Sequence, residues 1–353
     1  MTAESLGVLV LVGGSSDEHP ISLRSGATVV RAVEAAGHRA VVVAVLGDGR
    51  WVHGGIGEVL ERAEREILTY DGSGARTVSL VRTDGGARLV GEAAETVAEV
   101  DVCFPILHGP GGEDGTLQGF LETVGIPYVG AGPATSAIAM DKLAMKHLTA
   151  AAGLPQIEYL GVLEGEPVDA DLVADALGYP CYVKPARQGS SFGVVRVADA
   201  DALAAAVDEA RRYDARLVLE RAVDAREVEI AALGNAPIEL SPIGEILPAD
   251  GFYDFDAKYV DSTARLVAPA ELPAAAEREL RDVALRAWKL IDGRGMARID
   301  FFVERGSDRV LLNEINTAPG FTEISMYPRL WREAGVSTPD LVDRLLRLAL
   351  DKE

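Results

Sequence analysis

The sequence predicts an α/β protein of two or three domains, with α+β character in its later part. Three observations lead there. The chain has 353 residues, of which 48% are hydrophobic and 25% charged. That is too long for one ordinary core and too apolar for disorder. The first 46 residues run strand, helix, strand, the order that builds a parallel layer. The last third contains two strands joined by a short turn, the mark of an antiparallel hairpin.

In chain order, "LGVLVLVGG" (6–14) is a continuous apolar run ending in glycines and reads as a buried first strand. "SSDEHPISLRSG" follows, with Ser15, Ser16 and Asp17 as cap residues and helical periodicity from Ile21. "RAVVVAVL" (39–46) is the next strand. Residues 47–98 are rich in glycine and charge and suggest short strands. "VDVCFPILHG" (100–109) is another buried strand, then the glycine-dense "PGGEDG" and the helix "TLQGFLETVG". A helical stretch covers "SAIAMDKLAMKHLTAAAGLP". Residues 179–197 read as strand, Gly/Ser loop, strand, and an Ala-rich helix follows over 199–212. "ARLVLERAV" (215–223) and "REVEIAALG" (226–234) are strands, the second alternating as if one face were solvated. "PAAAERELRDVALRAWKLI" is an amphipathic helix. "ARIDFFVE" and "RVLLNEIN" flank the turn "RGSD", and a helix over 338–350 ends the sequence.

The formal net charge is −21. So acidic a surface argues against nucleic acid and anionic membranes as partners. An anionic ligand must be held by local cations and backbone N–H groups. Cys103 and Cys181 lie far apart in hydrophobic runs and read as reduced core thiols, which fits a cytoplasmic setting. The N-terminal apolar run lacks a basic flank and is too short to span a bilayer.

The hairpin carries the strongest chemistry. If Asp300 pairs with Glu314, Arg298 pairs with Asn316, and all four side chains share one face. Ile299, Phe301, Leu311, Asn313 and Ile315 then share the other, against a core. Two carboxylates and an amide are hard oxygen donors suited to Mg²⁺; a solvated face with an Arg–Asp pair would look the same. "KPARQGSSFGV" puts Lys184 before Gly189, Ser190, Ser191 and Gly193, a loop able to wrap phosphate or to be a plain hairpin. It is neither a Walker A nor a Rossmann glycine pattern.

In order, eight blocks resemble the D-alanine–D-alanine ligases of the ATP-grasp superfamily: "GGSSDEHPISLRSG", "FPILHGPGGEDGTLQG", "IPYVGAG", "MDKLAMK", "YVKPARQGSSFGV", "FYDFDAKY", "ARIDFF" and "NEINTAPGFTEISMYP". The resemblance spans nearly the whole chain. It implies a three-domain ATP-grasp fold with an N-terminal parallel α/β domain (1–130), a central unit with the phosphate loop (131–220) and a C-terminal unit (221–353) with a mobile loop over 251–269. It implies that ATP phosphorylates one D-alanine and that a second attacks the acyl phosphate, for peptidoglycan precursors.

The resemblance also implies roles. Asp300, Glu314 and Asn316 would bind two Mg²⁺ ions, for which Mn²⁺ can substitute. Arg298 and the Gly320 N–H would hold the transferring phosphate and the oxyanion. Lys142, Lys184 and Lys258 would contact ATP phosphates under the loop of Gly189, Ser190 and Ser191. Glu220 and the Val223 backbone would meet the adenine, and Glu227 the ribose. Glu18 would bind the first D-alanine's ammonium, linked to Ser190 and Tyr259. Ser325 and the Met326 N–H would grip the second carboxylate. His108 would act beside the substrates or be a structural histidine. A homodimer is expected.

The sequence departs from the usual pattern at Arg221, at "DARE" before Glu227, at Gln188 and at Pro20; none removes a group that the chemistry needs. Lys258–Tyr259 matches the dipeptide-forming loop, and no histidine follows His147 to make the lactate-forming variant. The alternatives are a D-alanyl-D-lactate or D-Ala-D-Ser ligase, a second copy protecting an antibiotic producer, and an ATP-binding protein without turnover.

Overall fold

The protein is described from a computed structural model, over residues 5–83, 86–247 and 265–351. Its described strands form three sheets. The first contains β1 (Gly7–Gly13), β2 (Arg39–Val45), β3 (Trp51–His53), β4 (Arg76–Thr83), β5 (Gly86–Gly91), β6 (Thr96–Val100) and β7 (Val102–Pro105), in the order β6-β5-β4-β3-β2-β1-β7. Only β2, β1 and β7 are mutually parallel; β3 to β6 extend them as an antiparallel meander. The expected parallel layer is therefore the buried half of a mixed sheet. The weakly patterned stretch after residue 46 holds the short strands and also a helix, Gly57–Ala63, of which only Leu60 and Ala63 are buried. Too few apolar positions mark it for periodicity to reveal it.

Helix α1 (His19–Ala35) begins after Glu18, not at Ser15–Asp17, and carries Pro20 in its first turn, where the missing N–H costs nothing. Gly26 lets the helix ride close on β1, because a Cβ there would collide with the Val12 side chain.

The second sheet contains β8 (Tyr159–Val162), β9 (Cys181–Pro185), β10 (Val195–Val197) and β11 (Leu217–Arg221), ordered β10-β9-β11-β8 and antiparallel. The third contains β12 (Ala225–Leu233), β13 (Glu239–Leu247), β14 (Arg265–Val267), β15 (Met296–Glu304) and β16 (Val310–Asn316), ordered β14-β13-β12-β15-β16. The sequence reading missed β13. Helix Ala274–Leu290 buries Leu280, Val283, Ala287 and Trp288 against this sheet.

The hairpin register is the expected one at its functional end: Arg298 faces Asn316 and Asp300 faces Glu314. Beyond Asp300 the register shifts, and Phe301 pairs with Leu312 rather than Asn313. The bulge corrects the expected core set. Leu312 joins Ile299, Phe301 and Ile315 inside, while Asn313 is left at the cleft.

The units share cores. Trp331, Leu341 and Leu345 from the last two helices pack in one cluster with Val8, Val10 and Phe104 of the first sheet. Each such fully buried side chain contributes roughly 1.5–3 kcal/mol, so the end of the chain locks the first unit to the third. The second sheet has its own core, built on Val183, Leu203, Val207 and Leu219. Cys103 and Cys181 are both buried and free. Among the described residues no helix is long and apolar enough to cross a membrane.

Candidate active site

The second and third sheets face each other across a cleft of about 590 Å³, closed at one end by the start of α1 and the loop after β7. Every described residue that the sequence reading singled out for the site lines this cleft: Glu18, His108, Lys142, Lys184, Gly189, Ser190, Ser191, Glu220, Val223, Glu227, Arg298, Asp300, Glu314, Asn316, Gly320, Ser325 and Met326. Lys258, Tyr259 and the rest of the segment over 251–264 lie outside the described residues.

At the closed end Glu18 sits at the N-cap of α1, where the helix dipole favours its negative charge. The Ser190 hydroxyl donates to Glu18 Oε1, so the Gly/Ser loop of the second sheet reaches the first unit. The loop gets there by two residues with positive φ, Ser190 at 47° and Ser191 at 62°. Two glycines make room. A Cβ on Gly109 or Gly189 would come within 2.7 or 2.9 Å of Glu18 Oε2. Ser16 supports the corner, donating to the His108 carbonyl at 2.6 Å.

The third sheet supplies a lateral row of charge. Glu229 on β12, Asp300 on β15 and Glu314 on β16 are cross-strand neighbours. Arg298 binds both oxygens of Asp300, at 2.8 and 2.7 Å, and lies 3.2 Å from Glu229. Asn316 donates to Asp300 at 3.0 Å. Burial opposes the charge on Arg298, but Asp300 and Glu229 outweigh it and hold its pKa well above the usual value. The β12 face expected to be solvated is thus the cleft wall, and Glu229 on it is buried. Alternation placed Glu229 on this face; its pairing with Arg298 depends on β15, far along the chain.

The second sheet supplies a cation cluster. Lys146 Nζ lies 2.7 Å from Glu220 Oε1, and Lys184 Nζ 2.5 Å from Oε2. Lys146 and Glu220 are almost wholly buried. Burial alone would raise the Glu220 pKa; Lys146 and Lys184 overcome it and bring the carboxyl down to about 2. Lys146 also sits 5.4 Å from the Tyr159 ring centre. Lys142 donates to the Gln188 carbonyl at 2.6 Å and lies 3.6 Å from Glu314. Sequence reading missed Lys146; its signal was a position four residues after Lys142 on the same helix face.

It also missed Glu113, which accepts from the Gly109 N–H at 2.7 Å. Burial, reinforced by the Glu18 charge, pushes its carboxyl up to about 8, although one side of it borders the cleft. His108 is buried, and burial pushes its pKa down; Arg298 acts the same way, against Glu18 and a bond to the Ala318 backbone. Ser325 stands at the N-cap position of helix Met326–Glu333 without a side-chain capping bond; its hydroxyl lies 2.7 Å from the Thr322 hydroxyl and accepts from Thr322 N–H at 3.0 Å.

Among the described residues no three His, Cys, Asp or Glu side chains converge on one point. The donor set of Asp300, Glu314 and Asn316, two carboxylates and an amide, still fits Mg²⁺, which takes one or two carboxylates and completes its shell with phosphate oxygens and water.

An antiparallel sheet carrying paired carboxylates, facing a second sheet with a Gly/Ser loop and lysines, defines an ATP-grasp ligase. Comparison with known proteins narrows the class. The model of the D-Ala D-Ala ligase N-terminus matches residues 7–131 and that of the C-terminus residues 148–347. The D-alanine–D-alanine ligase of Heliobacterium modesticaldum is 41% identical over 350 residues, covering 97% of this chain and 94% of that protein. That of Enterococcus faecalis is 39% identical over 351 residues, covering 98% and 99%. The chain belongs to the D-alanine–D-alanine ligase family. Among solved structures, the D-alanine–D-alanine ligase of Coxiella burnetii superposes with a TM-score of 0.85 at 33% identity, covering 99% of this chain and 95% of that one. The VanG D-Ala:D-Ser ligase of Enterococcus faecalis gives 0.84 at 30% identity, covering 98% and 100%.

Proposed function

We propose that the protein joins two D-alanines to D-alanyl-D-alanine at the expense of ATP, in the cytoplasm, as a homodimer, for peptidoglycan precursor synthesis. The observation that carries this is the meeting, in one cleft, of the Glu18–Ser190 link with the row of Arg298, Asp300, Glu314 and Asn316. The chain divides into units of 1–130, 131–220 and 221–353. The Glu18 carboxylate takes the ammonium of the first D-alanine and, through Ser190, draws the Gly189–Ser191 loop over the nucleotide. A carboxylate oxygen of that D-alanine attacks the terminal phosphorus of ATP, and ADP leaves. Lys142, Lys184 and Lys258 hold the phosphates, Glu220 and Val223 the base, and Glu227 the ribose. Asp300, Glu314 and Asn316 would hold Mg²⁺, which supplies neutralising charge to the phosphates when bound.

Ser325 and the Met326 N–H, at the start of a helix, hold the carboxylate of the second D-alanine. Its amine attacks the acyl carbon and phosphate departs. Arg298 and the Gly320 N–H stabilise the oxygen that gains charge in that step. Tyr259 joins Glu18 and Ser190, and the closed loop keeps water from the acyl phosphate.

A second reading concerns the acceptor, because a D-Ala:D-Ser ligase superposes almost as well. The relatives near 40% identity bear the dipeptide name, which favours D-alanine. The test is phosphate release with ATP and Mg²⁺, offering D-alanine alone, D-alanine with D-serine or D-lactate, and L-alanine, with products weighed by mass spectrometry. Dipeptide from D-alanine alone is the expected result. A product formed only with another acceptor refutes the assignment of Ser325 and Tyr259.

A further inference from the structure

The motif "SLRSG" (22–26) places two serines three residues apart on α1, facing the same way. Both are fully buried. Ser22 is a two-way junction: its oxygen accepts from the Gly13 N–H at 2.7 Å and its hydroxyl donates to the Ile106 carbonyl at 2.5 Å. Ser25 repeats that arrangement one turn later. Its oxygen accepts from the Phe321 N–H at 3.2 Å and lies 3.3 Å from His108 Nε2. Among the described residues these are its two hydrogen-bond contacts. The Phe321 contact is an N–H and can only donate. The one hydrogen of the hydroxyl is free for His108 Nε2, which accepts it in the neutral ring whose other nitrogen donates to the Ala318 backbone. The other contact of the ring, to the Ala318 backbone, favours a protonated ring, as a bond to a carbonyl does.

We infer that Ser25 is a positioning residue that fixes His108 as the neutral ring with its proton on Nδ1 and Nε2 occupied, and that pins the Phe321 N–H to α1. The helix that carries Glu18 is thereby tied to the loop that runs from Asn316 to Ser325. Gly26 makes the tie rigid, since the helix rests directly on Val12 and Ile106 there. His108 Nε2 is then not a free base for the incoming amine. The role of His108 is to hold the floor of the cleft through Ala318 and Ser25. The kinetic part of this rests on the ligase reading above; the tautomer does not.

Nitrogen-15 NMR of histidine-labelled protein at neutral pH tests it. The chain has five histidines, and His108 is assigned by the signal lost in His108→Gln. A protonated Nδ1 and an unprotonated Nε2 are expected in the unaltered protein. A proton on Nε2 there would overturn the inference, whatever the enzyme turns over and whether or not Ser25→Ala folds. In Ser25→Ala the ring should lose its single tautomer, and Ser25→Cys, which keeps a weak donor, should restore it in part. Kinetically, Ser25→Ala should raise KM for the second D-alanine several-fold and leave KM for ATP unchanged. A fall in kcat alone would mean only a smaller folded fraction and would refute the positioning role.

Discussion

Lys146→Met isolates the ion cluster of the second sheet. Methionine keeps the length and apolar stem of the lysine and removes its charge, so Glu220 loses the cation 2.7 Å from Oε1. Breaking a buried ion pair from one side costs about 3–5 kcal/mol. Lys184 remains 2.5 Å from the other oxygen, which puts the expected loss at the low end, about 3 kcal/mol. Tryptophan fluorescence would not see it, because Trp51, Trp288 and Trp331 all lie outside the second sheet. Hydrogen exchange at β9 and β11 would, with amides there exchanging about a hundredfold faster. The pH dependence gives a second reading of the same interaction. The folded pKa of Glu220, about 2, lies below its ordinary 4.5, so its stabilisation is present above about pH 4.5 and is lost as pH falls towards 2. With Lys146 gone the folded value rises towards 4.5, so the window narrows from its acid side and less stability is lost across it. Wild-type exchange rates together with an unchanged acid profile would refute the account of Glu220.

Glu314→Gln keeps volume and removes one of the two facing carboxylates; Mg²⁺-dependent phosphate release should collapse while thermal unfolding is unchanged, and normal turnover would cancel the metal assignment. Ser190→Ala removes a hydrogen bond to a charged acceptor, typically ~1.5–3 kcal/mol, so KM for the first D-alanine should rise at least tenfold in steady-state assays. Gly26→Ala drives a methyl into Val12 and should cost about 1–3 kcal/mol in urea unfolding. Glu113 has a folded pKa near 8, above its ordinary 4.5. Its contribution is therefore complete below about pH 4.5 and declines as pH rises towards 8; Glu113→Gln should flatten the unfolding temperature over that window.

What the sequence made legible was set by how local the determinant is. The alternation in "ARIDFF" and "LLNEIN" is local, and it placed Arg298 opposite Asn316 and Asp300 opposite Glu314. The bulge after Asp300 is not local: alternation alone puts Asn313 opposite Phe301, and it is packing against the helix and sheet core that brings Leu312 there instead. The same division holds in the site. Glu18, the Gly/Ser loop and the hairpin carboxylates lie in dense motifs. Lys146 and Glu229 stand in ordinary helix and strand surroundings and meet their charged partners far along the chain, and Glu113, in a loop, is set by burial and then by the distant Glu18.

Those partners explain how a chain of net charge −21 can present cations to an anionic ligand. Each described site cation lies beside a carboxylate: Lys184 with Glu220, Lys142 with Glu314, and Arg298 with Asp300 and Glu229. An isolated buried ammonium would lose its proton before it met a phosphate. Pairing keeps the charge in place and fixes where it points. The cost is competition, since a phosphate must draw each cation partly away from its carboxylate. Lys146 reduces that cost at Glu220, because it stays when Lys184 turns to the ligand. If so, Lys146→Met should raise KM for ATP by more than it lowers kcat, and Lys146→Arg, which restores the charge, should reverse much of the rise. A Lys146→Met enzyme with an unchanged KM for ATP would mean that Lys184 never leaves Glu220.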